Sequence, residues 1–414
     1  MRARIQRGAS EIGGACVEVE SGGDRLVIDI GMPLEPVAGE PTGPPPVPGL
    51  TDGGDGSIRG LLITHPHQDH YGLVDHVHAE VPIYIGEAAS AILAAAAFFS
   101  PASARLTPAG YLAHRQTLEL GRFRVTPYLA DHSAFDSYSL LVEADARRLF
   151  YSGDLRGHGR KADVFEELLR DAPTSVHAAL LEGTRIGRSD SDGELDESTL
   201  EAAMTGAFRD APGLVLVYAS AQNIDRLVTV YRACLRAGRV LVVDLYCATI
   251  ARATGRGSIP QPGFSGLRVY VPQRQRILVK NAVEFHRVDE LGSARIFRDE
   301  IRESADEIVA LLPASTTAEL ARDGCLTEAR AIWSLWPGYL DQPSGRRLVT
   351  LLARHGVPLN RLHASGHASV GQLERLVEAL APERVVPIHT SAPDLYDSIF
   401  SRVERHDDGE WWTV

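Results

Sequence analysis

The run LLITHPHQDH, residues 61–70, constrains this chain more than any other segment, because three histidines and a carboxylate follow directly on an apolar stretch. The apolar residues 60–63 predict a short buried strand, so residues 64–70 are expected on the loop that leaves its end. Neutral imidazoles suit zinc, and a nearby carboxylate allows a second ion to be held beside the first. A lone histidine there would more often be structural, but the clustering of His65, His67, Asp69 and His70 predicts a dinuclear metal centre.

One loop cannot complete two coordination spheres, so further ligands are expected at the ends of other strands. An alternating apolar segment ends at His132, a second predicted strand ends in Gly153-Asp154, and a third leads into His389. Taken singly, each segment is as consistent with a structural role as with a metal-binding one. Together they give the order HxHxDH, H, D, H along the chain.

In that order the motifs resemble those of the metallo-β-lactamase superfamily. The resemblance implies that His65, His67 and His132 bind one ion, that Asp69, His70 and His389 bind a second, and that Asp154 bridges them. It extends to the N-terminus, where residues 8–14 and the strand 25–31 are similar to the opening hairpin of these domains. Asp29 on that strand is then expected to orient a ligand from behind, whereas a plain surface turn is the alternative for residues 11–14. Because this fold hosts many reactions, these motifs leave the substrate open.

Three later motifs narrow the resemblance. A predicted strand ends in Glu182, the segment HASGHAS carries His363 and His367, and His389 follows 22 residues after His367. An acid and two histidines in this arrangement, enclosing a large insert, resemble motifs A, B and C of the β-CASP nucleases. Within that group the chain is most similar to the RNase J branch, over essentially all 414 residues.

The resemblance implies an α/β fold, a metallo-β-lactamase αββα sandwich with an inserted α/β β-CASP domain. We expect the first part of the sandwich at residues 1–199, the insert at 200–347 and the second part at 348–414. Helical stretches at 88–99 and 162–170 between short strands indicate the same layered class. Residues 35–56 and 189–197 are expected to be loops. The chain ends 25 residues after His389, which predicts a short form without the C-terminal domain of many full-length relatives.

The HASGHAS segment has a physical interpretation of its own. Glycine beside serine lets backbone N–H groups and a hydroxyl close around an oxyanion. In the family that the chain resembles, such residues hold the scissile phosphate, which assigns His363, Ser365, Gly366 and His367 to phosphate binding. The imidazoles are suited to protonating the leaving oxygen. A pair of histidines on a helix surface is the alternative, which Gly366 argues against.

A second candidate substrate-binding segment follows a predicted strand at 213–219. Ser220, Asn223 and Arg226 resemble the stretch with which the inserted domain of these nucleases faces its substrate. An ordinary helix N-cap at this position is the alternative.

Charge is distributed unevenly. The chain carries 42 basic and 54 acidic residues, a net charge of −12, which does not by itself favour a nucleic-acid partner. Residues 201–350 nevertheless hold 19 Lys and Arg against 16 Asp and Glu, or +3. We call residues 252–287 the basic stretch, because they contain one acid, Glu284, and these basic residues: Arg252, Arg256, Arg268, Arg274, Arg276, Lys280 and Arg287. With Phe264, Tyr270 and Phe285 between them, they suit a phosphate backbone with stacked bases; a solvated surface with core aromatics is the alternative.

The cysteines at 16, 234, 247 and 325 form neither a CxxC motif nor a disulfide framework, and arginines interrupt any N-terminal signal sequence. We therefore expect a cytoplasmic protein without a membrane segment. The apolar run 89–99 is too short to span a bilayer and predicts a buried helix.

The metal motifs predict a dinuclear hydrolase that uses two Zn²⁺, with Mn²⁺ as a replacement. The resemblance to RNase J implies that it attacks phosphodiesters of single-stranded RNA with a hydroxide bridging the ions. Asp69, Glu182, His363 and His367 are the expected catalytic residues, with Asp69 as proton acceptor and a histidine assisting departure of the 3′-oxygen. Exonuclease and endonuclease action both remain open, as does assembly into a homo-oligomer.

Two other functions remain open at this stage. The same metals would serve a DNA nuclease or a hydrolase of small phosphoesters, although the insert and its basic stretch argue against a small substrate. A non-catalytic scaffold is the second alternative, and the complete set of metal-binding positions argues against it.

Overall fold

A computed structural model describes residues 1–34, 42–54, 56–100, 103–188 and 195–414. The chain divides into two compact units: the first comprises Met1–Ser191 and Gly366–Val414, and the second comprises Asp192–Ser365. The sequence predicts domain boundaries after residues 199 and 347, whereas these units divide after 191 and 365. The loops expected at 35–56 and 189–197 fall partly outside the described residues.

Most strands of the first unit come before the chain enters the second unit. Its elements in this part are β1 (Arg2–Arg7), β2 (Cys16–Ser21), β3 (Asp24–Ile28), β4 (Ile58–Leu62), α1 (Gln68–Tyr71), β5 (Ile83–Gly86), α2 (Glu87–Ala96), β6 (Gly110–Leu112), β7 (Leu118–Leu120), β8 (Phe123–Ala130), β9 (Ser137–Ala144), β10 (Arg147–Tyr151), α3 (Ala162–Arg170) and β11 (Ala178–Glu182).

The second unit alternates helices and strands. Its elements are α4 (Glu197–Arg209), β12 (Val215–Tyr218), α5 (Ile224–Ala237), β13 (Val240–Asp244), α6 (Leu245–Ala253), β14 (Leu267–Tyr270), α7 (Gln273–Ala282), α8 (His286–Asp289), β15 (Arg295–Ile296), α9 (Arg298–Glu303), β16 (Ile308–Leu311), α10 (Thr317–Arg322), β17 (Arg330–Trp333), α11 (Pro343–Arg354) and β18 (Leu359–Arg361). The first unit then ends with α12 (Val370–Leu380), β19 (Arg384–Ile388) and β20 (Trp411–Thr413).

In the first unit two sheets pack face to face between layers of helices. One sheet has the strand order β20-β1-β2-β3-β4-β5-β6 and the other β19-β11-β10-β9-β8-β7. Alternating residues of both sheets, such as Ile5, Ile28, Leu140 and Val386, form one core between them. Helix α2 covers the outer face of the first sheet, and α3 and α12 cover that of the second. This is the αββα sandwich that the sequence predicts.

The second unit is built on a parallel sheet with the strand order β15-β14-β13-β16-β12-β17-β18. Its core joins one face of the sheet to helices α9, α10 and α11. Leu348 and Leu352 of α11 belong to this core, although the sequence predicts that the chain has returned to the first domain by residue 348. In a parallel sheet all strands end at the same side; we call this side of the second unit the carboxyl edge.

No helix within the described ranges is long and apolar enough to cross a membrane. Cys16, Cys234, Cys247 and Cys325 are buried free thiols. The predicted buried helix at 89–99 corresponds to α2, Glu87–Ala96.

Candidate metal centre

The candidate metal-binding residues of the first unit all follow the carboxyl ends of strands. Residues 65–70 follow β4, His132 follows β8, Asp154 follows β10 and His389 follows β19. Strands β10, β11 and β19 are parallel neighbours, which brings Asp154, Glu182 and His389 to one end of the sheet. The pattern of a strand followed by a polar ligand residue therefore converges on one place.

The loop 65–70 is held against the end of β3 by backbone hydrogen bonds. The N–H groups of Ala15, Ile30 and Met32 donate to the carbonyls of Asp69, His70 and Gln68 at 2.8–3.2 Å. Gly31 lies so close to this loop that a Cβ there would be 1.7 Å from the Asp69 carbonyl oxygen. Only glycine permits that approach, so the site depends on a residue that does not touch an ion.

Three sets of candidate ligands form, and Asp154 belongs to all of them. The first set is His65, His67, His132 and Asp154, the second is Asp69, His70, His389 and Asp154, and the third is Asp154, Glu182, His367 and His389. Within each set the possible ligand atoms lie within 4.8 Å of one another. His132 Nε2 is 3.2 Å from His67 Nδ1, and His389 Nε2 is 3.3 Å from an Asp69 oxygen. The first two sets contain the residues that the family resemblance assigns to metal binding.

Asp154 is the residue that the candidate ligand sets have in common. It is buried, and its oxygens are 3.3–3.7 Å from ring nitrogens of His65, His70, His367 and His389. Neither oxygen accepts a hydrogen bond within the described chain, and the same is true of His65 Nε2 and His70 Nε2. Buried polar atoms without partners are costly, and divalent cations held between them would satisfy all four atoms. The residues present thus fit a metal centre.

Hydrogen bonds at Nδ1 orient three of the candidate histidine ligands. His70 Nδ1 donates to Asp29 at 2.8 Å, and His132 Nδ1 donates to the Gly366 carbonyl at 2.6 Å. Thr64 Oγ1 lies 3.1 Å from His65 Nδ1 and also donates to Asp29. A partner on one nitrogen fixes the tautomer and points the other nitrogen inward.

Sequence reasoning named Asp29 but gave no role to the two threonines that act in this way. Thr184 Oγ1 lies 3.0 Å from His389 Nδ1, as Thr64 does from His65 Nδ1. Each threonine lies two residues beyond the end of a strand, Thr64 after β4 and Thr184 after β11. Their positions in the motifs THPH and EGT were the only available signal.

Electrostatics divides the imidazoles into two groups. Burial lowers the pKa of His65, His67 and His132, so these rings are neutral, the form that binds metal. For His70 burial acts in the same direction, but Asp154 and Asp29 outweigh it and raise the pKa well above its usual value. Burial opposes ionisation of Asp154, yet His389 and His70 hold the pKa of its carboxyl well below its usual range.

Glu182 and His367 form a pair beside Asp154. His367 Nδ1 is 3.1 Å from a Glu182 oxygen, and the backbone N–H groups of Leu155 and Thr184 donate to the same carboxylate. Burial alone would lower the pKa of His367, but Glu182 and Asp154 raise it to about 9. The ring therefore presents Nδ1 to the carboxylate and has Nε2 on its opposite side.

The other predicted substrate residues lie in the second unit. His363 and Ser365 follow β18 on a partly exposed, non-helical segment, which rules out a helix-surface pair of histidines. Ser220 is exposed after β12. Asn223 Oδ1 accepts from the Arg226 N–H and caps α5, so the ordinary N-cap is present here.

Arg226 has a different environment from the one expected. It is fully buried, and its guanidinium donates to Glu197, to Ser334 and to the Ala364 carbonyl. Those donors are occupied inside the second unit, so Arg226 is not available to hold a phosphate. It instead holds the backbone of the segment that carries His363 and Ser365.

The basic stretch does not form one cationic face. Four of its cations are ion-paired, in the pairs Arg252–Glu290, Arg268–Glu300, Arg276–Glu319 and Arg287–Glu284. Of its aromatics, Tyr270 is buried in the core and Phe264 packs on Tyr231, while Phe285 is 51% exposed. Helices α6 and α7 begin at the carboxyl edge and run away from it, which separates Arg274 from Arg252 and Lys280.

Comparison with known proteins agrees with this architecture. Residues 27–208 match the profile of the β-lactamase superfamily domain. A solved protein of unknown function from Enterococcus faecalis V583 superposes with a TM-score of 0.81 at 19% identity, covering 100% of this chain and 99% of the other. The protein has the metallo-β-lactamase fold. That superfamily implies binding of divalent metal ions.

Curated relatives of the RNase J type cover most of the chain. Ribonuclease J of Sinorhizobium meliloti is 22% identical over 358 residues, which is 82% of this chain and 59% of that protein. The Helicobacter pylori (strain ATCC 700392 / 26695) protein is 23% identical over 400 residues, or 92% and 55%, and the Mycobacterium tuberculosis (H37Rv) protein is 25% identical over 421 residues, or 94% and 68%. The chain is RNase J-like in sequence, and it spans a little over half the length of the first two relatives.

Proposed function

We propose that this protein is a zinc-dependent phosphodiesterase with a dinuclear centre, a ribonuclease that cleaves single-stranded RNA, and that manganese can replace zinc. The observation that carries the proposal is that the first two ligand sets share Asp154. The buried oxygens of Asp154 and the Nε2 atoms of His65 and His70 have no hydrogen-bond partner in the described chain. The RNase J relatives support the choice of RNA.

In this proposal His65, His67 and His132 would hold one ion, Asp69, His70 and His389 would hold the other, and Asp154 would serve both. Bound there, divalent cations supply Lewis acidity that lowers the pKa of water and offsets phosphate charge. Asp69 orients the attacking water and accepts its proton. The new bond forms at phosphorus, and the bond to the 3′-oxygen breaks, which leaves a 5′-phosphate on the product.

Glu182 and His367 serve the departing side of the reaction. Glu182 fixes His367 through Nδ1, so that Nε2 can protonate the leaving 3′-oxygen. His363, Ser365 and Gly366 hold the non-bridging phosphate oxygens, with N–H and hydroxyl donors suited to an oxyanion. Ser220 adds a contact from the loop after β12. Arg226 acts on none of these atoms and instead positions the 363–365 segment.

The test combines metal analysis with cleavage. Elemental analysis of metal-replete protein is expected to give close to two transition-metal ions per chain. End-labelled single-stranded RNA and DNA, each with a 5′-monophosphate or a 5′-hydroxyl, are then compared, and RNA is expected to be cut faster. Less than one ion per folded chain would contradict the dinuclear centre. Cleavage of DNA alone would indicate a DNA nuclease, and turnover of a small phosphodiester without cleavage of either strand would indicate a small-substrate hydrolase.

Variants separate catalysis from folding. Asp69→Ala and His67→Ala are expected to abolish RNA cleavage while circular dichroism and the thermal transition show a folded chain, because the cores lie outside the ligand sets. His76→Ala, at an exposed histidine that belongs to none of the ligand sets, is the matched control and should cut at the wild-type rate. Wild-type turnover by either active-site variant would reject the catalytic assignment of that residue.

A further inference from the structure

We propose that the carboxyl edge of the second unit is a track for single-stranded RNA, on which bases stack against Trp336, Tyr246 and Phe297. The inference rests on the proposed function, since it names how the same substrate is held away from the reacting phosphate. It also replaces the basic stretch as the expected binding surface.

Topology brings the relevant side chains to one side. Each strand of this parallel sheet ends at the carboxyl edge. Five of the strands are followed directly by a segment that carries a candidate RNA-binding residue. His363 and Ser365 come after β18, Trp336 after β17, Ser220 after β12, Tyr246 after β13 and Phe297 after β15. Ligands of open parallel sheets bind beyond the carboxyl ends of the strands, where successive connections leave in opposite directions. That reversal occurs here at β12, which is flanked by β16 and β17.

The aromatic groups at this edge are accessible and have fixed positions. Trp336 is 42% exposed and Tyr339 is 41% exposed, and their rings meet edge to face at 5.4 Å. The Trp336 ring lies over Gly338, where a Cβ would come within 2.2 Å of the indole. A large aromatic side chain that is half exposed and yet held in place can stack a base at low entropic cost.

Tyr246 gives the next position along the edge. It is the second residue of α6, is partly exposed, and its hydroxyl accepts from the Gln222 amide at 2.8 Å. Gln222 belongs to the loop after β12 that also carries Ser220. The loops after β12 and β13 are therefore joined into one surface.

The far end combines an aromatic ring with cations. Phe297 is 53% exposed, and the Arg295 guanidinium lies 4.6 Å from its ring centroid. A cavity of about 190 Å³ opens beside them and is lined in part by Arg276 and Arg298. Arg276 and Arg298 pair with the carboxylates of Glu319 and Asp323. Because these carboxylates offset part of the positive charge, the cavity is better suited to a phosphodiester, with one negative charge, than to a multiply charged anion.

The dimensions fit a short single strand. From β18 to β15 there are six strand intervals, which at about 4.8 Å each give roughly 29 Å. Aromatic faces separated by two or three strands accept any base, so the track has no sequence requirement. Duplex RNA hides its bases inside the helix and has nothing to stack on these rings.

Binding is measured on zinc-loaded protein with a fluorescein-labelled 12-nucleotide oligouridine whose phosphorothioate linkages resist cleavage. Trp336→Ala and Phe297→Ala are each expected to raise the Kd roughly fivefold or more, the lower end for loss of one stacked base. Gly338→Ala, which displaces the indole without removing it, is expected to act in the same direction. Trp336→Phe is expected to restore most of the affinity and to remove the quenching of tryptophan fluorescence that the oligonucleotide causes in the wild type.

Phe285→Ala is the matched control. Phe285 is as exposed as Phe297 but follows α7, which leads away from the carboxyl edge. It is expected to bind with wild-type affinity and with normal quenching. Wild-type affinity of the Trp336 and Phe297 variants, an equal loss in Phe285→Ala, or tighter binding of a duplex of the same length would each overturn the track.

The track and the proposed function can fail separately. If end-labelled RNA is cut and the edge variants bind normally, the function stands and the track is rejected. If no RNA is cut but the oligouridine binds through Trp336 and Phe297, the track stands and the ribonuclease is rejected.

Discussion

At the residue scale, Asp29 determines which nitrogen of His70 can face a metal. It adopts a left-handed conformation with φ of 59°, and its carboxylate accepts from His70 Nδ1, from Thr64 and from Tyr151. In Asp29→Asn the amide oxygen can still accept from Thr64, which turns the NH₂ group toward His70. The ring must then accept at Nδ1 and carry its proton on Nε2, where it cannot bind metal.

We therefore expect Asp29→Asn to weaken binding of one ion by about 10- to 100-fold, measured by competition with a chromophoric chelator. Asparagine tolerates the left-handed backbone, so the fold should remain intact. Asp145→Asn, at another left-handed aspartate in the hairpin between β9 and β10, is the control and should bind both ions normally. Equal affinities in the two variants would remove Asp29 from the support of the site.

Asp244 gives a pH-dependent prediction outside the site. Burial raises the pKa of this carboxyl to about 6, although it caps α6 and accepts from Gln275. The raised pKa means that the folded state binds more protons than the unfolded state between about pH 4 and 6, so stability falls as pH rises through that window. A shift from 3.8 to about 6 corresponds to roughly 3 kcal/mol.

Asp244→Asn removes this term and keeps an oxygen for the helix cap. The free energy of unfolding of the variant, relative to that of the wild type, is expected to increase from pH 4.5 to 6 and then to level off. Loss of the bond to Gln275 adds an offset that does not vary with pH. Urea denaturation at half-unit pH steps measures the difference, with the exposed Asp210→Asn as control. A difference independent of pH would contradict the raised pKa.

At the element scale, the end of β3 and the loop 65–70 fit together through Gly31. Alanine there would place its Cβ 1.7 Å from the Asp69 carbonyl and 2.8 Å from the Ala15 nitrogen. Since both contacts are with backbone, the loop must move and carry its candidate ligands with it. Gly31→Ala is expected to lower both the bound metal and the melting temperature. Gly206→Ala, at an exposed helical glycine with open space around it, should leave the metal unchanged and stabilise by about 0.5–1 kcal/mol.

Elements with a strong local pattern could be predicted from the sequence. The strand predicted at 213–219 is Val215–Tyr218, and the helix N-cap considered after it is Asn223, which begins the helix Ile224–Ala237, because alternation and an N-cap are local signals. The core in which a helix packs is not a local property. The apolar face of α11 predicts that the helix is buried but not in which core, and Leu348 packs in the core of the second unit. The candidate ligands carried their own motif, whereas the contacts of Thr64 with Asp29 and of Thr184 with His389, and the burial of Arg226, depend on partners far apart in sequence.

At the scale of the whole molecule, metal binding should stabilise one unit and not the other. The candidate ligands all belong to the first unit, and the second has a separate core around Leu216, Ala310 and Leu352. An ion at about 1,000 times its Kd contributes about 4 kcal/mol to the state that binds it. Removal with a chelator is therefore expected to speed amide exchange in peptides from β10 and β11, whose ends carry Asp154 and Glu182. Exchange in β12, β16 and β17 should be unaffected, and hydrogen exchange followed by mass spectrometry resolves both sets in one sample. Equal acceleration in both units would show that the metals stabilise a single cooperative structure, and no change in either would show that the buried histidine and aspartate cluster is stable without an ion.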